Sequence, residues 1–207
     1  HDRHRPAAGA GVIGFWFDFA STYSYLAAER MRALGAVPPT VAWRPFLLGP
    51  VFQAMGTPST PNVATPQKAA YMWRDLERLA HKHGLVFNQP EPFPQHSVLA
   101  GRVATAHAEA PWLPDFACGV FRAQFADGRD IAEPATLAGV LEPLGVDAET
   151  ALAAAQTDAT KAALRAATDA AIERGLFGAP SFTVGDELFW GQDRLDDALA
   201  WAGFSRR

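Results

Sequence analysis

One short segment constrains the fold more than any other: Phe15-Trp16-Phe17-Asp18-Phe19-Ala20-Ser21-Thr22-Tyr23-Ser24-Tyr25-Leu26. Residues 12–19 form a brief apolar run rich in aromatic side chains, the pattern of a buried strand. Residues 22–35 then carry Tyr25, Leu26 and Leu34 at helical spacing and close on Gly35, a natural C-terminal stop. Ser21 therefore stands where a strand hands over to a helix. It can cap that helix, as serine commonly does. It can also sit beside a bound anion such as a thiolate, because free amides and the positive end of the helix dipole converge there.

Residues 40–48 alternate enough to be a second strand, and strand, helix and strand in such close succession imply a right-handed parallel crossover. Residues 49–66 break the rhythm with Pro and Gly and read as a long loop with room for one short helix. From there the chain reads as helices over 67–83, 95–108, 112–126, 133–144, 148–155 and 158–174, separated by prolines and glycines. Strands return at 181–184 and 187–190 around Gly185-Asp186, a hairpin signal, and residues 192–201 form a closing helix. The expected α/β architecture is βαβ, a large all-helical insertion, then ββα. Its first unit is discontinuous (12–48 with 176–207), its second the inserted helices (49–175), and residues 1–11 read as a disordered tail.

The chain has 207 residues, 49% of them hydrophobic, which suits one substantial core or one domain with an insertion. A net charge of −4 with scattered basic residues gives no footprint for nucleic acid. No apolar run approaches the roughly 20 residues a bilayer span needs, and the first residues lack the apolar core of a signal peptide. A cytoplasmic protein with no membrane partner is the expectation. The residues leave the assembly state, monomer or homodimer, open. Cys118 is the single cysteine, so dithiol redox chemistry is excluded. It lies in an apolar helical setting and reads as a buried structural thiol. No His/Cys/Asp/Glu cluster has zinc-like spacing, so no metal is expected.

Four motifs in order carry a resemblance: the segment from Phe17 to Leu26, Lys68-Ala69-Ala70-Tyr71-Met72-Trp73-Arg74-Asp75-Leu76-Glu77-Arg78, Gly178-Ala179-Pro180-Ser181-Phe182, and Trp190-Gly191-Gln192-Asp193-Arg194-Leu195. Over residues 12–203 the chain resembles the 2-hydroxychromene-2-carboxylate isomerase family, which is similar to kappa-class glutathione transferases and, more distantly, to DsbA-type proteins of thioredoxin-like fold. The resemblance implies a thioredoxin-like domain in which Ala179-Pro180 is cis and faces the reactive residue. It implies glutathione as cofactor, with Ser21 beside the sulfur, and a small aromatic keto acid as substrate. Two departures stand out: Thr22 replaces the usual proline, and His96 stands where asparagine is more usual.

A serine hydroxyl with no adjacent base is a poor nucleophile, so Ser21 reads as a donor to sulfur that favours thiolate over thiol. By the same resemblance the Ala179 backbone would pair with the cysteinyl part of glutathione, as an added strand does. Asp193 would accept the γ-glutamyl ammonium, and Gln192 with nearby amides would take its carboxylate; the plainer reading of Asp193 is a helix cap. Lys68 and, less strongly, Asn62 are further ligand candidates. Asp75 and Arg78 read as a surface ion pair, Trp43 as core, and Arg44 as either an ion-pair partner or a ligand contact. Trp16, Phe17, Phe52 and Trp190 are candidates to line an aromatic cleft, with core packing as the alternative for most.

Overall fold

The computed structural model describes residues 11–35, 40–57 and 65–204. Asn62 and residues 1–10 lie outside them. Ile13–Phe17 (β1) is buried along its whole length. Thr22–Ala33 (α1) follows, capped by Ser21 and closed by arginines in its last turn, where they complement the dipole. Val41–Pro45 (β2) ends the crossover. The helices Leu48–Ala54 (α2), Pro66–Lys82 (α3), Val98–Ala106 (α4), Leu113–Phe125 (α5), Pro134–Leu141 (α6), Ala148–Ala155 (α7) and Asp158–Glu173 (α8) come next, then Ser181–Val184 (β3), Glu187–Trp190 (β4) and Leu195–Trp201 (α9). The thioredoxin-like fold expected from the sequence is present.

The sheet order is β2-β1-β3-β4, with β1 parallel to β2 and antiparallel to β3. β1 is thus an interior strand whose neighbours come from opposite regions of the chain, Phe15 pairing with Trp43 on one side and Phe182 on the other. Side-chain alternation then divides the aromatics between two faces. Phe15 and Phe17 stack on each other and join the large core containing α1 and α5. Trp16 turns to the other face and meets Phe46 beside residues of α8. Tyr25, Phe121 and Phe125 extend the first face as stacked or tilted rings.

Several expected boundaries move for identifiable reasons. The second strand stops at Pro45, and Leu48 opens α2, its amide taken by the Asp18 carboxylate at 2.7 Å. The fourth helix starts at Val98, because Gln95 is buried in the preceding loop, accepting from the Ile131 amide at 3.0 Å. The helix expected over 133–144 finishes as a 3-10 turn, Glu142–Leu144, that contains Pro143. The closing helix likewise begins as a 3-10 turn, Gln192–Arg194. Trp16 and Phe17 are core residues, not cleft lining: they are 3% and 0% exposed.

Candidate functional site

The ends of β1 and β4 and the start of β3 fall at one end of the sheet, since Trp16 pairs with Ser181 and Ser181 with Trp190. The β1–α1 turn and the Gly178–Pro180 loop therefore meet. The Ser21 hydroxyl accepts from the Ser24 amide at 3.2 Å, which makes it the cap of α1. It donates to the Ala179 carbonyl at 3.1 Å across 158 positions of sequence. The Ala179-Pro180 peptide is cis. Ser181 holds the loop from behind, donating to the Gly178 carbonyl at 2.8 Å, while the Gly191 amide donates to the Pro180 carbonyl at 2.9 Å.

Among the described residues the Thr22, Tyr23 and Ala179 amides have no hydrogen-bond acceptor. The first two are the orphan donors of a helix start. Thr22, the departure at the usual proline, leaves the helix start intact and turns its hydroxyl toward the Met72 sulfur at 3.9 Å. Met72 brings α3 against the site, and Lys68 lies one turn earlier with its side chain exposed. Tyr23 also reaches α3, donating to Asp75 at 2.9 Å. Burial and that carboxylate both push the Tyr23 phenol up. Asp75 is therefore bonded to Tyr23 rather than paired with Arg78; among the described residues the ion pair on this helix is Arg74 with Glu77.

Gln192 and Asp193 sit in the 3-10 turn beyond β4. Arg30 fixes that turn from α1, donating to the Gln192 carbonyl at 2.6 Å and to Oε1 at 3.4 Å while pairing with Asp196 at 2.9 Å. Gln192 is buried and partly committed. Asp193 is not a cap of α9, whose cap position is Arg194. Its carboxylate is 64% exposed, with Arg194 at 3.6 Å. Arg44 forms neither an ion pair nor a site contact among the described residues; its guanidinium lies 5.3 Å from the Trp16 ring centroid. Trp43 packs edge-on against Phe15 and Phe17.

Asp18 is the site-supporting residue that sequence reasoning missed. It is 4% exposed. One carboxylate oxygen accepts from the Ala20 amide at 2.9 Å, the other from Leu48, and the Asp18 carbonyl accepts from the Ser21 amide at 2.9 Å. Burial pushes its carboxyl up, partly offset by these bonds and one to Ser97. The available signal was a charged residue closing an apolar strand, three positions before the capping serine.

Cys118 is fully buried, and burial pushes its thiol up, which makes it unreactive. No metal-binding group of three His, Cys, Asp or Glu occurs among the described residues, and no helix among them is long and apolar enough to cross a membrane. A surface cavity of about 610 Å³ lies between α3 and the loop before α4, lined by Trp73, Gln89, Pro90, Glu91 and Phe93. None of these is a predicted site residue.

Residues 12–200 match the DSBA-like thioredoxin domain. The chain is 32% identical to the 2-hydroxychromene-2-carboxylate isomerase of Sphingobium xenophagum over 89% of its length and 94% of that protein. It is 29% identical to glutathione s-transferase kappa 2 of Caenorhabditis elegans, over 89% of this chain and 88% of that one. A solved 2-hydroxychromene-2-carboxylate isomerase superposes with a TM-score of 0.84 at 28% identity, covering 93% of this chain and 94% of the other.

Proposed function

We infer the function from one premise: the chain belongs to the DSBA-like thioredoxin-domain family, within its 2-hydroxychromene-2-carboxylate isomerase branch. We propose that it is a glutathione-dependent cis-trans isomerase of aromatic keto acids like 2-hydroxychromene-2-carboxylate. The observation that carries this reading is the replacement of a redox dithiol by a serine whose hydroxyl meets the Ala179 carbonyl at 3.1 Å at a helix N-terminus. Such a centre cannot exchange disulfides with its own atoms. It can hold and polarise a thiol brought by another molecule.

The residues fit glutathione. The Thr22 and Tyr23 amides, which have no acceptor among the described residues, favour an anion, and the Ala179 amide, likewise without one among them, offers with its carbonyl the edge that an extended peptide needs. Asp193 presents an exposed carboxylate for an ammonium group, and Lys68 an exposed cation on the α3 side. When bound, glutathione would supply a thiolate that adds reversibly to a conjugated carbon, permitting rotation about the former double bond. Ser21 has one proton to give, so serving that sulfur means releasing the Ala179 carbonyl to pair with the peptide instead. Arg30 keeps the 192–194 turn in register, and Asp18 holds the β1–α1 turn against α2. A single buried cysteine and a reduced-thiol cofactor suit a cytoplasmic setting.

The second reading, a kappa-like transferase, shares the site and is favoured by the kappa relative. Following 2-hydroxychromene-2-carboxylate with and without glutathione separates the two readings. Interconversion that needs glutathione but consumes none supports the isomerase. Stoichiometric conjugation with electrophiles, without interconversion, supports the transferase. Binding without turnover of either kind would leave a non-catalytic binding protein.

A further inference from the structure

We propose that Phe177 and Trp190 form the subsite that receives the planar aromatic ring of the substrate, a reading that rests on the isomerase proposal and specifies its second ligand. Phe177, in the loop before β3, and Trp190, at the end of β4, are 42% and 54% exposed, while Phe15, Trp16, Phe17 and Phe182 of the sheet are buried. They meet at a centroid distance of 4.9 Å with planes tilted by 58°, so neither covers the other's face fully.

Their place is set by the reactive loop itself. Phe177 and Gly178 immediately precede Ala179, the acceptor of the Ser21 hydroxyl. Trp190 is at the end of β4 opposite Ser181, and the bond from Gly191 to the Pro180 carbonyl ties it to the loop. Its indole lies directly on Gly178, where any Cβ would collide with the indole nitrogen. The absence of a side chain at 178 is what lets the ring settle against the loop.

Ring faces left in water beside a nucleophile-binding site are suited to flat, conjugated ligands, because stacking adds to the gain from apolar burial and is lost with a saturated ring of the same outline. The cavity beside Trp73 and Phe93 is the competing place. There the rings are half-buried, Trp73 packing edge-on against Phe93 at 4.8 Å and stacking with Phe87 at 6.2 Å, so less ring face is left open than on Phe177 and Trp190.

The test is calorimetric titration with two probe acids, 2-naphthoate and decahydronaphthalene-2-carboxylate, in the absence of glutathione. The wild type should bind 2-naphthoate, Trp190→Ala about tenfold more weakly and Trp190→Phe within about threefold of wild type. The saturated acid should show no comparable difference between wild type and Trp190→Ala, and a separate titration with glutathione alone should give the same affinity in all three proteins. The proposal is overturned if the wild type does not bind 2-naphthoate, or if Trp190→Ala binds it unchanged. It is equally overturned if Trp73→Ala takes the loss, or if Trp190→Ala alters only the sedimenting mass, which would make the pair an assembly contact. Because the titration contains no glutathione, failure of the cofactor reading would leave its result intact and would show instead as absent glutathione binding.

Discussion

Ser21→Ala separates the chemical role of the hydroxyl from its structural one, because the structure fixes how much stability is at stake. The hydroxyl makes two bonds, one from the Ser24 amide and one to the Ala179 carbonyl. Losing a serine cap costs about 1 kcal/mol, and losing a second neutral hydrogen bond costs about another 1 kcal/mol. For a chain of this size a total of about 2 kcal/mol lowers Tm by roughly 4–8 °C. Even from the low end of ordinary stabilities, about 5 kcal/mol, some 3 kcal/mol would remain, and about 99% of the molecules would be folded at 25 °C. Unfolding therefore cannot account for more than a per cent or so of lost activity. Removal of an oriented donor to a developing anion should cost about 10²–10³ in kcat. The same donor, bonded to a charged sulfur, contributes about 1.5–3 kcal/mol, so the midpoint for bound glutathione thiol should rise by about one to two pH units in the variant. Thiolate absorbs in the ultraviolet more strongly than thiol, so a pH difference spectrum of each complex reads that midpoint. Thermal melting run alongside reads the structural cost. A variant with the expected fall in Tm but an unchanged thiol midpoint would refute the donor role and reduce Ser21 to a cap.

Asp193→Ala should weaken glutathione binding in a calorimetric titration while leaving the thiol midpoint of the complex near that of wild type; a moved midpoint would place Asp193 beside the sulfur instead. Asp18 carries a pH signature: its carboxyl is pushed up in the folded state, so the folded protein binds more protons than the unfolded one from about pH 4 up to the raised value, and stability falls as pH rises through that window. The stability difference between wild type and Asp18→Asn, from urea melts, should shrink over that range and level off above it; growth with pH would mean that the hydrogen bonds outweigh burial. Cys118→Ala should keep glutathione-dependent turnover, and the native thiol should resist a disulfide reagent that reacts in denaturant, whereas rapid native labelling would contradict its burial. Gly119→Ala should destabilise by about 1–3 kcal/mol, because the new Cβ would lie 2.5 Å from Val140 Cγ1 where α5 and α6 touch, and Val140→Ala should recover most of the loss.

The elements were legible wherever local chemistry and tertiary packing agreed. Residues 148–155, 181–184 and 187–190 come out with the expected bounds, since an Asp cap, a Pro entry and a Gly-Asp turn each mark an end that the structure also uses. The Ser21 and Ala179-Pro180 pair was legible through its motifs, although 158 positions separate the two bonded residues. What local pattern could not show was the partner of each polar group. Asp75 reads with Arg78 along its own helix, but Tyr23 from α1 reaches it first. Asp18 reads as one charge at a strand end, and only the approach of Leu48 and Ser97 turns it into a buried junction. Phe17 is close to the site in sequence yet faces Phe15 and Phe121 in the core, because alternation along a strand interior to the sheet decides its side.

The interior position of β1 bears on how this molecule is made as well as on how it is built. Its β2 edge can be satisfied within some thirty residues, Ile13 pairing with Val41, but its other edge waits for β3 and Ser181. At ordinary elongation rates of about 5–20 residues per second, roughly ten to thirty seconds pass between the emergence of Phe17 and that of Ser181. Throughout that interval the nascent chain holds Phe15, Trp16 and Phe17 on a strand with one unpaired side, a template for any other extended segment nearby. The β1–β3 pairing that closes this edge is also what carries Ala179 to Ser21, so the site cannot be assembled before that strand has been put away.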